Sequence, residues 1–227
     1  MKLVSYLSPG LPHSLFRAIG AILEPVAGPV EVSFVTERSG PPAAMGDPWM
    51  GADLAYMCEP AYIELRSRGL ARLVPAGMVF GDPRNGGGPV YFSDVVVAHD
   101  HAAREVGDLT GATWAVNDDR SLSGFWCVFR AFPDGVKTVT SGSHAASAGM
   151  VRDGTADAAA IDSNVVEQVG VGLRIIDSFG PHPIQPLVAR PGVAEPLLEA
   201  MARALIEAEP PPPLAGFAPV SEAHYPA

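Results

Sequence analysis

The sequence is short of basic residues and of long apolar runs, and each shortage excludes a class of protein. Its 15 Lys and Arg residues stand against 25 Asp and Glu residues, a formal net charge of -10 over 227 residues, and the basic residues form no cluster. Nucleic-acid backbones are bound through clustered Lys and Arg, so the sequence predicts no nucleic-acid partner. No apolar run approaches the roughly 18 residues of a membrane span, which predicts no direct membrane span.

Signatures of metal and nucleophile chemistry are also missing. Cys58 and Cys127 have no CxxC spacing and no adjacent histidine, so we interpret both as structural free thiols. His99 and His101 follow a predicted strand with no third ligand nearby, and we expect neither a metal nor a cofactor. The stretch "SLSGF" lacks the leading glycine of a nucleophile elbow. "GDPRNGGGP" lacks the Lys-Ser/Thr pair of a phosphate-binding loop, and we interpret it as a hairpin loop.

What remains is an ordinary globular composition, 48% hydrophobic and 18% charged, with a repeated pattern. The strand "KLVSYL", the loop "SPGLP" and the helix "HSLFRAIGAILEPV" form one strand-loop-helix unit. The strand "ATWAV", the loop "NDDR" and a helix from near Ser121 repeat it. "ADLAYMCE" also overlays "ADAAAIDS" without a gap, which places Cys58 opposite Asp162. The pattern predicts an α/β fold with two similar halves.

Two such halves imply two lobes, each with a sheet rich in parallel strands. The extended stretches "PVYFSDVVVAHD" and "LRIIDSFGPHPIQPLVA" are interpreted as two hinge crossings. On this interpretation lobe 1 comprises residues 1–92 and 178–227, and lobe 2 comprises residues 93–177. "VAEPLLEAMARALIEAE" predicts a terminal amphipathic helix that is stopped by "PPPP", and an extended tail follows it. Ligands of such folds bind beyond the carboxyl ends of the strands.

Two predicted helix starts in lobe 2 carry the chemistry of an anion site. Ser121 is a good N-cap residue, Ser123 adds a hydroxyl donor, and Gly124 lets a ligand approach the backbone. In "TSGSHAAS", Ser143 or Gly142 precedes a helix that has His144 in its first turn. A histidine at a helix N-terminus stays neutral unless an anion compensates its charge.

Further candidates follow the other strands. Asp162 follows an apolar strand, so it can cap the next helix or bind a cationic or hydroxyl group of a ligand. Glu59, Cys58 and Gly10, the last in the first loop, are candidates from lobe 1. Tyr91 lies within a predicted strand and is a weaker candidate.

The stretches "DLTGATWAVNDDRSLSGFW", "TSGSHAASAGMVRDGTADAAAIDS", "PVYFSDVVV" and "GFAPVSEAHY" resemble the phosphate/phosphite/phosphonate substrate-binding proteins of ABC importers. The resemblance covers roughly residues 50 to 227. It implies a type II periplasmic-binding-protein fold, in which two closing lobes capture a small anionic or zwitterionic ligand and pass it to membrane subunits of the transporter. It further implies that Ser121, Ser123 and His144 bind the phosphonate head and that Asp162 binds an amine or polar tail.

Two alternatives stay open on the sequence. The same fold serves menaquinone-pathway enzymes that act on small carboxylates, and Asp162, His144 or Glu59 can supply an acid or base for such chemistry. A cytoplasmic sensor that binds a small anion is the other alternative. The first residues show no export signal. We therefore expect a periplasmic protein if a leader has been removed and a cytoplasmic one otherwise.

Overall fold

The structure is a computed structural model, and it describes residues 1–8, 10–41 and 49–226. Residue 9, within the predicted "SPGLP" loop, lies outside the described residues. The strands are β1 (Lys2–Ser5), β2 (Glu31–Phe34), β3 (Leu54–Tyr56), β4 (Arg72–Leu73), β5 (Ala76–Phe80), β6 (Val90–Ala98), β7 (Thr113–Val116), β8 (Lys137–Thr140), β9 (Ala158–Asp162), β10 (Leu173–Pro183), β11 (Leu187–Ala189) and β12 (Leu214–Pro219). The α-helices are α1 (His13–Ala27), α2 (Glu59–Ser67), α3 (Cys127–Ala131), α4 (His144–Arg152), α5 (Ser163–Val169) and α6 (Glu195–Glu207). A π-helical turn, Leu122–Trp126, precedes α3.

The chain divides into two compact units. Unit 1 comprises residues 1–90 and 183–227, and unit 2 comprises residues 91–182. Because unit 1 is built from two segments, the chain passes from one unit to the other twice. The lobe boundaries expected from the sequence, at 92/93 and 177/178, stay a prediction of where the hinge lies.

Unit 1 contains a five-stranded sheet in the order β2-β1-β3-β11-β4 and a two-stranded sheet of β12 and β5. Strand β1 is parallel to both of its neighbours, whereas β11 is antiparallel to β3. Helix α1 forms because Leu15, Ile19 and Leu23 recur at helical spacing, and all three are buried. The expected first strand and first helix are therefore confirmed.

Unit 2 repeats this arrangement. Starting from the edge strand β8, the strands of its sheet follow the order β8-β7-β9-β6-β10. Strand β7 is parallel to β8 and β9, as β1 is to β2 and β3, and β6 is antiparallel to β9, as β11 is to β3. Cys58 and Asp162 both occupy the position before a helix, as the gapless overlay predicts. The duplication inferred from the sequence is thus present in the strand order.

The expectation of a hairpin at "GDPRNGGGP" is wrong. The two strands that flank this loop do not pair with each other, because β5 pairs with β12 and β6 pairs with β9. The loop instead contains a short 3-10 turn, Pro83–Asn85, on the chain's first path from unit 1 to unit 2. The expected extended tail after α6 begins with strand β12, whose residue Phe217 pairs with Met78, and continues into a short 3-10 turn, Glu222–His224.

Candidate functional site

Ser121 caps the helical segment that follows β7. Its Oγ accepts a hydrogen bond from the Gly124 N–H at 3.0 Å, and its side chain is fully buried. The Trp126 N–H donates to the Ser121 carbonyl at 3.2 Å, which makes this turn one residue wider than an α-helical turn. Such π-type turns occur frequently at functional sites. Capping uses the acceptor side of the hydroxyl and leaves its proton available.

Gly124 packs against Asn117 rather than against open space. A Cβ at Gly124 would lie 2.5 Å from Asn117 Cγ. The Asn117 N–H donates to the Gly124 carbonyl at 3.0 Å, and Asn117 Oδ1 accepts from Ser147 Oγ at 3.1 Å. The close approach that Gly124 permits is therefore to Asn117, and its contact with a ligand stays a prediction. Asn117 and Ser147 are site residues that the sequence interpretation missed.

Ser123 and His144 form a pair. Ser123 Oγ lies 3.2 Å from His144 Nε2, and the Ser123 side chain is buried. Burial lowers the pKa of His144 to about 4, so the imidazole is neutral at physiological pH. The Nδ1 atom of His144 is buried, and it has no hydrogen-bond partner among the described residues. Ser123 and His144 were predicted as separate candidates from two motifs, and the structure brings their side chains into contact.

The pair has one proton that its mutual hydrogen bond does not use. If Ser123 donates to Nε2, the ring carries its proton on Nδ1; if Nε2–H donates to Ser123, the serine hydroxyl proton is uncommitted. In either tautomer one donor remains for another partner. A neutral donor pair of this kind suits an anion, because no ion pair competes with it.

Ser143 begins helix α4, as expected. Its Oγ accepts from the Ala146 N–H at 3.2 Å, and His144 is the first residue of the helix. Ser141 and Ser147 link the start of α4 to the loop after β7, since their hydroxyl oxygens lie 2.7 Å apart and Ser141 Oγ donates to the Val116 carbonyl at 3.0 Å. This hydroxyl network fixes the two helix starts relative to each other.

Asp162 ends β9 in a buried position and caps α5. Its Oδ1 accepts from the Asn164 N–H at 2.8 Å. Ser93, on β6, is the register partner of Asp162, and its Oγ donates to the Ser123 carbonyl at 2.9 Å. Ser93 was not predicted, because a buried serine within an apolar strand gives no local signal. It connects Asp162 to the segment that contains Ser123.

Unit 2 therefore gathers four predicted residues at one edge of its sheet: Ser121, Ser123, His144 and Asp162. Ser121 and Ser123 follow β7, His144 follows β8, and Asp162 is the last residue of β9. Strand β7 is parallel to both β8 and β9. This is the edge at which open α/β sheets bind ligands.

Tyr91 contributes to a different cluster in unit 2. Its buried ring lies 5.5 Å from the ring of His182, and His182 Nε2 lies 3.3 Å from Cys127 Sγ. Burial, and then the nearby Arg130, lower the pKa of His182 to about 4. Cys127 is a buried thiol, as expected, but its contact with a histidine 55 positions away was not predicted.

In unit 1, Cys58 and Glu59 flank the start of α2. Cys58 is buried and precedes the helix, and its N–H donates to the Ser39 carbonyl at 2.9 Å. Glu59 is the first helical residue and is largely buried. Gly10 is half-buried in the turn before α1. Within residues 1–8, 10–41 and 49–226, no group of three His, Cys, Asp or Glu side chains is arranged to bind a metal.

The comparison with protein families decides the identity. The family described as "ABC transporter, phosphonate, periplasmic substrate-binding protein" matches residues 51–225. The chain belongs to this family. The resemblance noted in the sequence is thereby confirmed, and the family is one of substrate-binding transport proteins rather than enzymes. No curated protein matches the chain.

Solved structures of other proteins show the same fold. A binding-protein component of an ABC phosphonate transporter from Pseudomonas aeruginosa has a TM-score of 0.74 and 17% identity, covering 99% of this chain and 82% of that one. A Xanthomonas citri protein bound to ATP has a TM-score of 0.70 and 16% identity, covering 99% and 92%. PhnD1 from Prochlorococcus marinus, in complex with methylphosphonate, has a TM-score of 0.70 and 16% identity, covering 91% and 84%. This chain thus has the two-lobed α/β fold of type II periplasmic binding proteins, as expected from its sequence.

The family is periplasmic. In the part of the chain that the structure describes, none of the helices has the length and apolar character needed to cross a bilayer.

Proposed function

We propose that this family member is the solute-binding protein of an ABC importer and that it captures a small phosphonate-like anion. Its family supports the transport role, and the methylphosphonate complex of a similar fold supports the ligand class. The observation that carries the proposal is the partly buried contact between Ser123 and His144, which keeps one neutral donor uncommitted. Its partners would be the ligand and the membrane subunits of the transporter, in the periplasm.

Neutral hydroxyls supply the remaining donors. Ser121 and Ser143 each use the oxygen as a helix cap, so each retains an O–H proton. Hydrogen bonds from such donors to a charged oxygen contribute roughly 1.5 to 3 kcal/mol each. A protein with a formal charge of -10 can bind an anion in this way, because local donors act at distances where the net charge is screened.

Asp162 gives the site a place for a cationic substituent. One of its carboxylate oxygens accepts from the Asn164 N–H, and a carboxylate has further lone pairs to offer. We propose that this carboxylate accepts hydrogen bonds from the amine of zwitterionic ligands. With lobe boundaries at 92/93 and 177/178, the two chain crossings would act as the hinge.

The lowered pKa of His144 does not support the enzyme alternative. A general base works best when its pKa lies near the operating pH, and burial lowers the pKa of His144 to about 4. We therefore propose that the site binds its ligand without turnover.

A thermal-shift screen tests the proposal. The purified protein would be dialysed and then heated with phosphate, phosphite, methylphosphonate, aminoethylphosphonate, sulfate or a small carboxylate. A ligand at about 100 times its Kd adds roughly 2.7 kcal/mol, which raises the Tm by several degrees. We expect this rise with a phosphonate or phosphite. A rise with carboxylates alone, or product formation, would contradict the proposal.

A further inference from the structure

Two buried hydroxyls in unit 1 lack the partners that buried hydroxyls ordinarily have. Tyr56 is fully buried and Ser8 is 4% exposed. Neither Tyr56 Oη nor Ser8 Oγ has a hydrogen-bond partner within the described part of the chain. Because a buried polar group without a partner costs stability, each such group requires an explanation.

Two other buried tyrosines of unit 1 have hydroxyls that donate hydrogen bonds within the protein, as is usual for buried hydroxyls. The Tyr62 hydroxyl donates to Glu222 Oε1 at 2.6 Å, and the Tyr225 hydroxyl donates to the Ile184 carbonyl at 2.9 Å. The fold therefore satisfies tyrosine hydroxyls where they are structural. Tyr56 differs from them, which indicates that its hydroxyl has another partner when the protein functions.

Both residues stand at the carboxyl-end edge of the parallel strands of unit 1. Tyr56 ends β3, and Ser8 follows β1 in the loop that leads to α1. Strands β1 and β3 are parallel neighbours, with Ser5 opposite Tyr56. The carboxyl ends of parallel strands form the ligand edge of such sheets. By the internal duplication, β1 and β3 correspond to β7 and β9, which lead to Ser121 and to Asp162.

The start of α1 lies beside Tyr56. The rings of Tyr56 and Phe16 have centroids 5.4 Å apart, and Phe16 is the fourth residue of this 15-residue helix. Within the described residues no side chain caps α1, and its first turn contains no acidic residue. The positive end of the helix dipole is thus not compensated by the protein, and it favours an anionic or polar oxygen.

We propose that Tyr56 and Ser8 are ligand-contacting residues of unit 1, whose hydroxyls donate to an oxygen of the bound anion next to the start of α1. The inference rests on the proposed function, because the anion belongs to the same class of small oxyanions. Burial raises the pKa of Tyr56, so the phenol remains protonated and is a donor at physiological pH.

The test compares Tyr56→Phe with Tyr225→Phe, the same change at a tyrosine whose hydroxyl has a partner. Isothermal titration with methylphosphonate and with phosphate gives the affinity, and the Tm of dialysed protein gives the stability. We expect Tyr56→Phe to weaken binding by about 10-fold or more and to raise the ligand-free Tm by about 2 to 4 °C, because an unpartnered hydroxyl is removed. Tyr225→Phe should lower the Tm and leave the affinity unchanged. Ser8→Ala should follow Tyr56→Phe in both respects.

Three results would overturn the inference. If the wild-type protein binds a probe and Tyr56→Phe binds it equally well, the inference fails while the proposed function stands. If Tyr56→Phe lowers the ligand-free Tm, the hydroxyl has a structural partner such as a buried water. If the wild-type protein binds none of the phosphorus oxyanions in the screen, the proposed function fails and this inference fails with it.

Discussion

Replacement of Gly124 by alanine should damage unit 2 through one defined clash. The added Cβ would lie 2.5, 2.7 and 2.8 Å from Cγ, Nδ2 and Oδ1 of Asn117. Real Cβ atoms essentially never approach neighbours that closely, so Asn117 must move. It is 2% exposed and has no open space to move into. Its displacement would also break the bond from Ser147 Oγ to its Oδ1.

The expected loss follows from these two effects. Overpacking a well-packed site costs about 1 to 3 kcal/mol, and a buried hydrogen bond that loses its partner costs about 1 to 3 kcal/mol. We therefore expect Gly124→Ala to lower the free energy of unfolding by roughly 2 to 6 kcal/mol. Gly149→Ala is the matched control, because Gly149 lies in α4 and a Cβ there meets nothing within 4 Å. The control should be neutral or slightly stabilising, since alanine favours the helix.

Urea denaturation measures the difference. Tryptophan fluorescence follows the unfolding, since two of the three tryptophans, Trp114 and Trp126, lie in unit 2. Gly124→Ala should unfold at a clearly lower urea concentration than the wild type, with an unchanged slope. If Gly124→Ala and Gly149→Ala unfold at the same concentration, the packing of Gly124 on Asn117 does not fix the segment after β7, and the reasoning is refuted.

Two further predictions concern the buried histidines. The pKa of His144 is about 4 in the folded protein and about 6.5 in the unfolded chain, so the unfolded chain binds more protons between these values and stability falls as the pH drops from 6.5 to 4. In His144→Gln, the fall in the free energy of unfolding between pH 6.5 and pH 4 should be about 3 kcal/mol smaller than in the wild type. Urea denaturation at both pH values measures this fall, and an equal fall in wild type and His144→Gln would contradict the prediction. Arg130→Gln removes the positive charge that, after burial, lowers the pKa of His182, so this pKa should rise in a proton NMR titration; a rise of equal size in Arg130→Lys, which keeps the charge, would contradict the attribution.

The fold was predictable where the signal is local or repeated. Helix α1 follows from the spacing of Leu15 and Ile19, and the repeat of "ADLAYMCE" in "ADAAAIDS" indicated two similar halves. The pairing of β5 with β12 was not predictable, because no local pattern identifies a partner more than 130 residues away. That missing information is why a glycine-rich loop between two strands was interpreted as a hairpin.

The candidate site was predictable to a similar extent. Ser121 and Ser143 were found because N-cap residues have a sequence signature, and both are caps in the structure. Ser93 and His182 were missed because their roles depend on contacts with segments far along the chain, Ser123 and Cys127. A single buried polar residue in an apolar strand carries no signal until its partner is known.

The titration of methylphosphonate into wild-type protein, Ser123→Ala and Ser67→Ala tests the central claim most directly. Ser67 is an exposed serine of α2, so Ser67→Ala controls for loss of a hydroxyl as such. We expect the wild type and Ser67→Ala to bind alike and Ser123→Ala to bind roughly 10- to 150-fold more weakly. Binding of equal strength in all three proteins would contradict the assignment of Ser123 and His144 to the anion site.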